Sequence, residues 1–216
     1  MSKIKRIPKK AVRYAALCLC ISLLALTMFS CSSEDPDKVH NKMGLLELDE
    51  SEFNKYIKLG QYKDLNIEIA EGESRPAAVW RAVEYTSEIT EYPISHVYYY
   101  RDQLIAQYKY YAEQAGVSYD AMLSELGESE VTILEEAKKL TRSDLVYAAV
   151  VRAEGIALTE DEKIDLFDKY VDKYVEEYGY TADYVRAEMA DEIYGSMLYD
   201  KTTEFLLISN SFVECN

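Results

Sequence analysis

Histidine and cysteine are scarce in this chain: two His and four Cys among 216 residues. His40 and His96 stand far apart, and no Cys or His pair has the spacing of a metal site. Cys18 and Cys20 lie inside an apolar N-terminal run, Cys31 follows it, and Cys215 is the penultimate residue. If the first two leave with a signal and Cys31 is modified, Cys215 has no partner for an intramolecular disulfide. Glycine (eight) and proline (four) are also few, so each one is informative as a helix breaker. There is no Gly-rich phosphate loop and no nucleophile elbow. The expectation is therefore no metal, no cofactor, no nucleotide and no catalytic residue. Basic residues are short beyond Arg13. Six of the 24 Lys and Arg precede Tyr14, which leaves 18 against 39 acids, or about −21, for the remainder. Such a surface repels nucleic acid and anionic lipid, and suits basic or mixed-charge polypeptides. Paired acids such as Asp161 with Glu162, or Glu176 with Glu177, read as solvated helix faces in so acidic a chain.

The N-terminus has the opposite character. Lys3, Lys5, Arg6, Lys9, Lys10 and Arg13 precede Tyr14–Phe29, a run that is almost wholly apolar. A basic head and a short apolar run make a secretory signal. The following Ser30-Cys31-Ser32 resembles the bacterial lipoprotein box, although Met28 and Phe29 stand where that box favours Leu and a small residue. The resemblance implies cleavage before Cys31, lipidation of Cys31, and a protein held on the extracytoplasmic face of the cell membrane. An uncleaved N-terminal helix is the alternative anchor. The layout expected is a signal over 1–30, a flexible acidic tether over 31–44, a short helix and β-like linker over 45–75, and a helical body over 76–213.

Tyrosine is abundant, twenty against five Phe and one Trp. It offers an apolar ring with a polar tip, suited to half-wet surfaces. Leu45–Tyr56 reads as a short helix. Leu65-Asn66-Ile67-Glu68-Ile69 alternates as a half-buried strand does. Beyond Pro76 the chain reads as helices separated by few breakers. These are Ala77–Glu91, then His96–Ala115 with Ser95 as cap, and a short helix from Ser118 to Leu126. Glu130–Ala153 is next, ended by Gly155. A helix opened by the Thr159/Glu162 capping pattern and ended by Gly179 follows it, and Thr181 starts one last helix.

This punctuation resembles the trigger factor C-terminal domain over roughly Tyr56–Val213. The entry Glu91-Tyr92-Pro93-Ile94-Ser95-His96-Val97 resembles the start of that domain's long first helix. Ala149–Glu162, with its Glu154-Gly155-Ile156 turn and Thr159-Glu160 cap, matches a second stretch. Met197-Leu198-Tyr199-Asp200-Lys201-Thr202-Thr203-Glu204-Phe205-Leu206 is similar to the closing helix, and Lys58–Leu65 to the linker strand. Ala70 is followed by Pro76 within six residues, leaving no room there for the family's prolyl isomerase domain, and a signal stands where its ribosome-binding domain would be. SurA- and PrsA-like exported foldases carry a similar helical module.

The resemblance implies a mainly α, elongated multi-helix body that binds unfolded polypeptides; together with the signal and the lipoprotein-like box, the expectation is a membrane-anchored, ATP-independent holdase for unfolded or newly exported polypeptides. Candidate client contacts are Tyr100, Leu104, Tyr108, Tyr111, Met189, Ile193 and Met197, although ordinary core is the favoured reading for each taken singly. The alternatives are a peptidyl-prolyl isomerase by family association and a lipoprotein adaptor for one native partner.

Overall fold

The structure, a computed structural model, describes residues 44–214. The signal over 1–30, Cys31, nearly all of the 31–44 tether and Cys215 lie outside the described residues. Contacts divide the chain into two units: one includes Asp102–Gly127, and the other includes the described residues up to Arg101 and from Glu128 onward. Nine helices and four short strands occur among the described residues, so the chain is mainly helical, as the breaker pattern predicts. Their order is α1 Gly44–Glu47, α2 Glu50–Phe53, β1 Ile57–Lys58, β2 Asn66–Ile69, α3 Arg75–Thr86, β3 Glu88–Ile89 and α4 Ile94–Ala115. Then come α5 Tyr119–Leu126, α6 Glu130–Glu154, α7 Glu160–Tyr178, α8 Ala182–Glu188, α9 Ala190–Ile208 and β4 Ser211–Glu214.

In the larger unit α6 is the central element. Its residues Asp144 to Val151 are all buried, the pattern of a helix enclosed on every side. Leu45 of α1, Val79 and Val83 of α3, and Leu198 and Leu206 of α9 share its core. Trp80 stacks on Tyr199 with ring centroids 5.4 Å apart, and its indole N–H donates to Thr203 Oγ1 at 2.9 Å. The start of α6 is fixed by a capping box between Ser129 and Thr132. Its end is fixed by Gly155, whose φ of 61° places it in the left-handed region that glycine enters freely.

The expected strand is β2, with Ile67 and Ile69 buried and Asn66 and Glu68 exposed. Its partner is β4, parallel and in register from Asn66 with Ser211 to Ile69 with Glu214. A second pair joins β1 to β3 antiparallel. Several sequence expectations need correction. Leu45–Tyr56 is two separate single turns, α1 and α2. Helix α3 stops at Thr86, because Ser87 is extended and its backbone N–H turns back to Glu84. Ser95 is not a cap: α4 starts at Ile94, and the Pro93 carbonyl accepts from His96 and Val97. The last helix is two, broken at Met189, whose φ of −123° departs from helical geometry.

Candidate client-binding surface

The six tyrosines of α4 occur in two triplets, Tyr98 to Tyr100 and Tyr108, Tyr110 and Tyr111. The first triplet belongs to the larger unit and is fixed. Tyr100 donates from its hydroxyl to Asp144 Oδ2 on α6. His96, fully buried, places Nε2 at 2.9 Å from the same oxygen. Two hydrogen bonds thus satisfy the buried Asp144 side chain. His96 Nδ1 meets no partner among the described residues. Burial, then the charge of Asp144, push the Tyr100 phenol up, so it stays a donor. Its ring meets those of His96 and Tyr99 edge-on, at 5.3 and 5.5 Å. Tyr100 is therefore an anchor at the base of the helix.

The second triplet belongs to the Asp102–Gly127 unit. There α4 ends at Gly116 and the chain reverses. Ser118 caps α5 by accepting from Ala121 N–H at 3.2 Å, and Gly127 closes it. This unit buries only Ala112, Met122 and Leu123 among its described residues. Leu104, Ile105, Tyr108, Tyr111 and Val117 are half-buried, and Tyr110 is half exposed. Leu104, Tyr108 and Tyr111 recur at helical spacing on one face. Lys109 lies 5.7 Å over the Tyr119 ring, so its charge is set against an aromatic face. Most large apolar side chains described in this unit are thus neither fully buried nor fully exposed.

Met189, Ile193 and Met197 are placed differently. They are interior to a second cluster with Val171, Tyr174 and Val185, between α7, α8 and α9, and Ile193 has no exposed surface. They pack the fold and present no face to a client. The sequence pointed to them by spacing, but spacing cannot say that α7 covers that face. The same cluster has a rim that sequence reasoning missed. Tyr174, Tyr178, Tyr180 and Tyr184 form a ladder of ring contacts 5.3 to 6.2 Å apart around Gly179, and Tyr184 is 45% exposed. The available signal was Tyr-Gly-Tyr-Thr at a helix break, two aromatics held where neither helix can cover them. Nearby, Tyr174 shares a 2.8 Å hydrogen bond with Ser196 and Tyr170 donates to Asp200 at 2.7 Å. These bonds orient the rings and keep their polar tips satisfied.

Among the described residues no helix is long and apolar enough to cross a membrane. No protein-family model matches the chain, and no solved structure matches it. A trigger factor of Clostridioides difficile (strain 630) is 29% identical over 153 residues, covering 67% of this chain. The chain spans about a third of that relative's length, 34%. The similarity supports a trigger-factor-like chaperone relationship for the residues that it covers.

Proposed function

We propose that this protein is a membrane-anchored, ATP-independent holdase for newly exported, unfolded polypeptides. The similarity to trigger factor supports the chaperone reading, and the thin-cored α4–α5 arm carries it at the level of residues. Leu104, Tyr108, Tyr111 and Tyr110 offer rings and aliphatic groups without a full cover. A client segment laid there would bury apolar area on both sides, stabilising the client's unfolded form against aggregation. The acidic residues elsewhere on the chain keep the complex in solution. Such binding uses differential affinity alone and requires neither nucleotide nor catalytic group. The chemistry of the His96, Tyr100 and Asp144 trio also favours a positioning role over proton transfer to a substrate. Lipid on Cys31 would supply the location, raising the local concentration of the arm near emerging clients.

The test is suppression of aggregation of a reduced, unfolded secretory client. Suppression near equimolar ratio is expected. Changing Tyr108 and Tyr111 together to Ser should weaken it by roughly tenfold, since two half-buried rings are lost, with little change in thermal unfolding of the larger unit. No suppression at several-fold excess ends the proposal. For the anchor, a Cys31→Ala variant should lose incorporation of a palmitate analogue in cells; labelling that persists rules out Cys31.

A further inference from the structure

A groove of about 570 Å³ opens on the larger unit, between α1 and α2 on one side and α6 with β1 on the other. That volume is within the range of about 300–1,000 Å³ usual for small-molecule sites. Leu46, Leu48, Leu59 and Ala153 line it and are not fully buried, with Phe53 at its floor. None of the residues proposed for client binding belongs to it.

Arg152 is the cation of this groove. It lies in the last turn of α6, where the helix dipole favours positive charge. Its Nη1 donates to the carbonyls of Leu48 and Leu46 at 2.8 and 3.1 Å, with Leu45 O at 3.5 Å. The guanidinium lies 4.6 Å from the centre of the Phe53 ring. Nη1 is thereby occupied, whereas Nε and Nη2 make no hydrogen bond among the described residues. That edge is the fork with which Arg receives a carboxylate in two parallel bonds. Arg152 also forms no ion pair among the described residues. Those residues carry 36 acids and 16 bases, since three of the 39 acids and eight of the 24 bases precede Gly44. A half-buried guanidinium left unmatched amid so many carboxylates is an asymmetry that a ligand would repair. Glu50 is the acid on the groove's rim; it is exposed and makes no bond to Arg152.

We propose that this groove binds an aliphatic monocarboxylate, with the chain against Leu46, Leu48, Leu59 and Ala153 and the carboxylate on the Nε–Nη2 edge of Arg152. A fatty acid of medium length satisfies both halves of that description. Aliphatic chain fills the apolar walls, and the head group supplies the anion that no described residue brings to Arg152.

The full chain would be photolabelled with a diazirine derivative of dodecanoate and the modified residues mapped by mass spectrometry. Labelling is expected to concentrate on Leu46–Leu59 and Ala149–Ala153. Dodecanoate should compete at least about tenfold better than dodecanol, the difference expected of a charge-assisted pair. Ala153→Phe fills the groove while leaving Arg152 and its carbonyl bonds in place, and should reduce groove labelling at least about fivefold. Arg152→Gln should abolish the preference for the acid over the alcohol. Should that variant lose its fold by circular dichroism, Ala153→Phe and the alcohol competition still decide the matter. Labelling spread over the chain, equal competition by dodecanol, or unchanged groove labelling in Ala153→Phe each overturns the proposal.

Discussion

Asp144 shows how one buried acid can fix the first turns of a helix. It is 4% exposed and holds both His96 and Tyr100 of α4. Replacing it with Ala leaves two donors facing each other in a place that water does not reach. Each stranded donor costs about 1–3 kcal/mol, so Asp144→Ala should destabilise the larger unit by roughly 2–6 kcal/mol in urea unfolding followed by Trp80 fluorescence. Asp144→Asn retains an acceptor and should cost less; equal losses for the two variants would refute the two-donor explanation. Glu162 shows the opposite regime, near the surface. Lys201 first, then the Thr159 backbone N–H, hold its carboxyl at about 2, below its usual value of 4.5. The folded chain therefore binds fewer protons here than the unfolded chain, and stability contributed by Glu162 is present above about 4.5 and is lost as pH falls toward 2. Glu162→Gln should flatten that part of the acid limb in pH-dependent thermal unfolding. A variant curve parallel to the wild type between pH 5 and 2 would remove Glu162 from the acid response.

Helix ends were legible wherever a local chemical device sets them, and unreadable wherever a distant segment does. Thr159 with Glu162, Ser118, Thr181, and the glycines 127, 155 and 179 all act within four residues of the ends they fix, so spacing alone revealed them. Strand β4 has no such signal: its partner β2 is more than 140 residues away, and only the folded chain brings Ser211 beside Asn66. The stop at Ser87 is equally non-local. Arg142 of α6 donates to the carbonyls of Glu84 and Ser87, satisfying the end of α3 from another helix. Gly60 packs closely against that end, since a Cβ there would stand 2.1 Å from the Thr86 carbonyl oxygen. The candidate site divides along the same line. Periodicity puts Leu104, Tyr108 and Tyr111 on one face of α4, where all three are half-buried. It gave the same weight to Met189, Ile193 and Met197, whose face is closed by α7. Amphipathic spacing identifies a stripe, but whether the stripe is core or surface depends on a partner that the local sequence does not name.

At the scale of the whole molecule, charge and apolar area have separate tasks. The described residues carry a net charge near −20 by their 36 acids and 16 bases. The arm Asp102–Gly127 holds Asp102, Glu113, Asp120 and Glu125 against Lys109 alone, so its rings are set in a mildly negative surround. Long-range attraction would then govern how fast a client arrives, and ring burial would govern how long it stays. Salt separates the two. The Debye length falls from about 10 Å at 0.1 M to about 3 Å at 1 M, which shortens the reach of the acidic field while leaving ring burial in place. Association of an unfolded client of net positive charge should therefore slow by roughly tenfold between low and high salt. Its dissociation rate should change little, and a client of net negative charge should gain in association rate over the same range. Stopped-flow mixing with one labelled client of each charge measures both rates. If the two clients show the same salt dependence, the acidic surface plays no part in capture, and its contribution is confined to solubility.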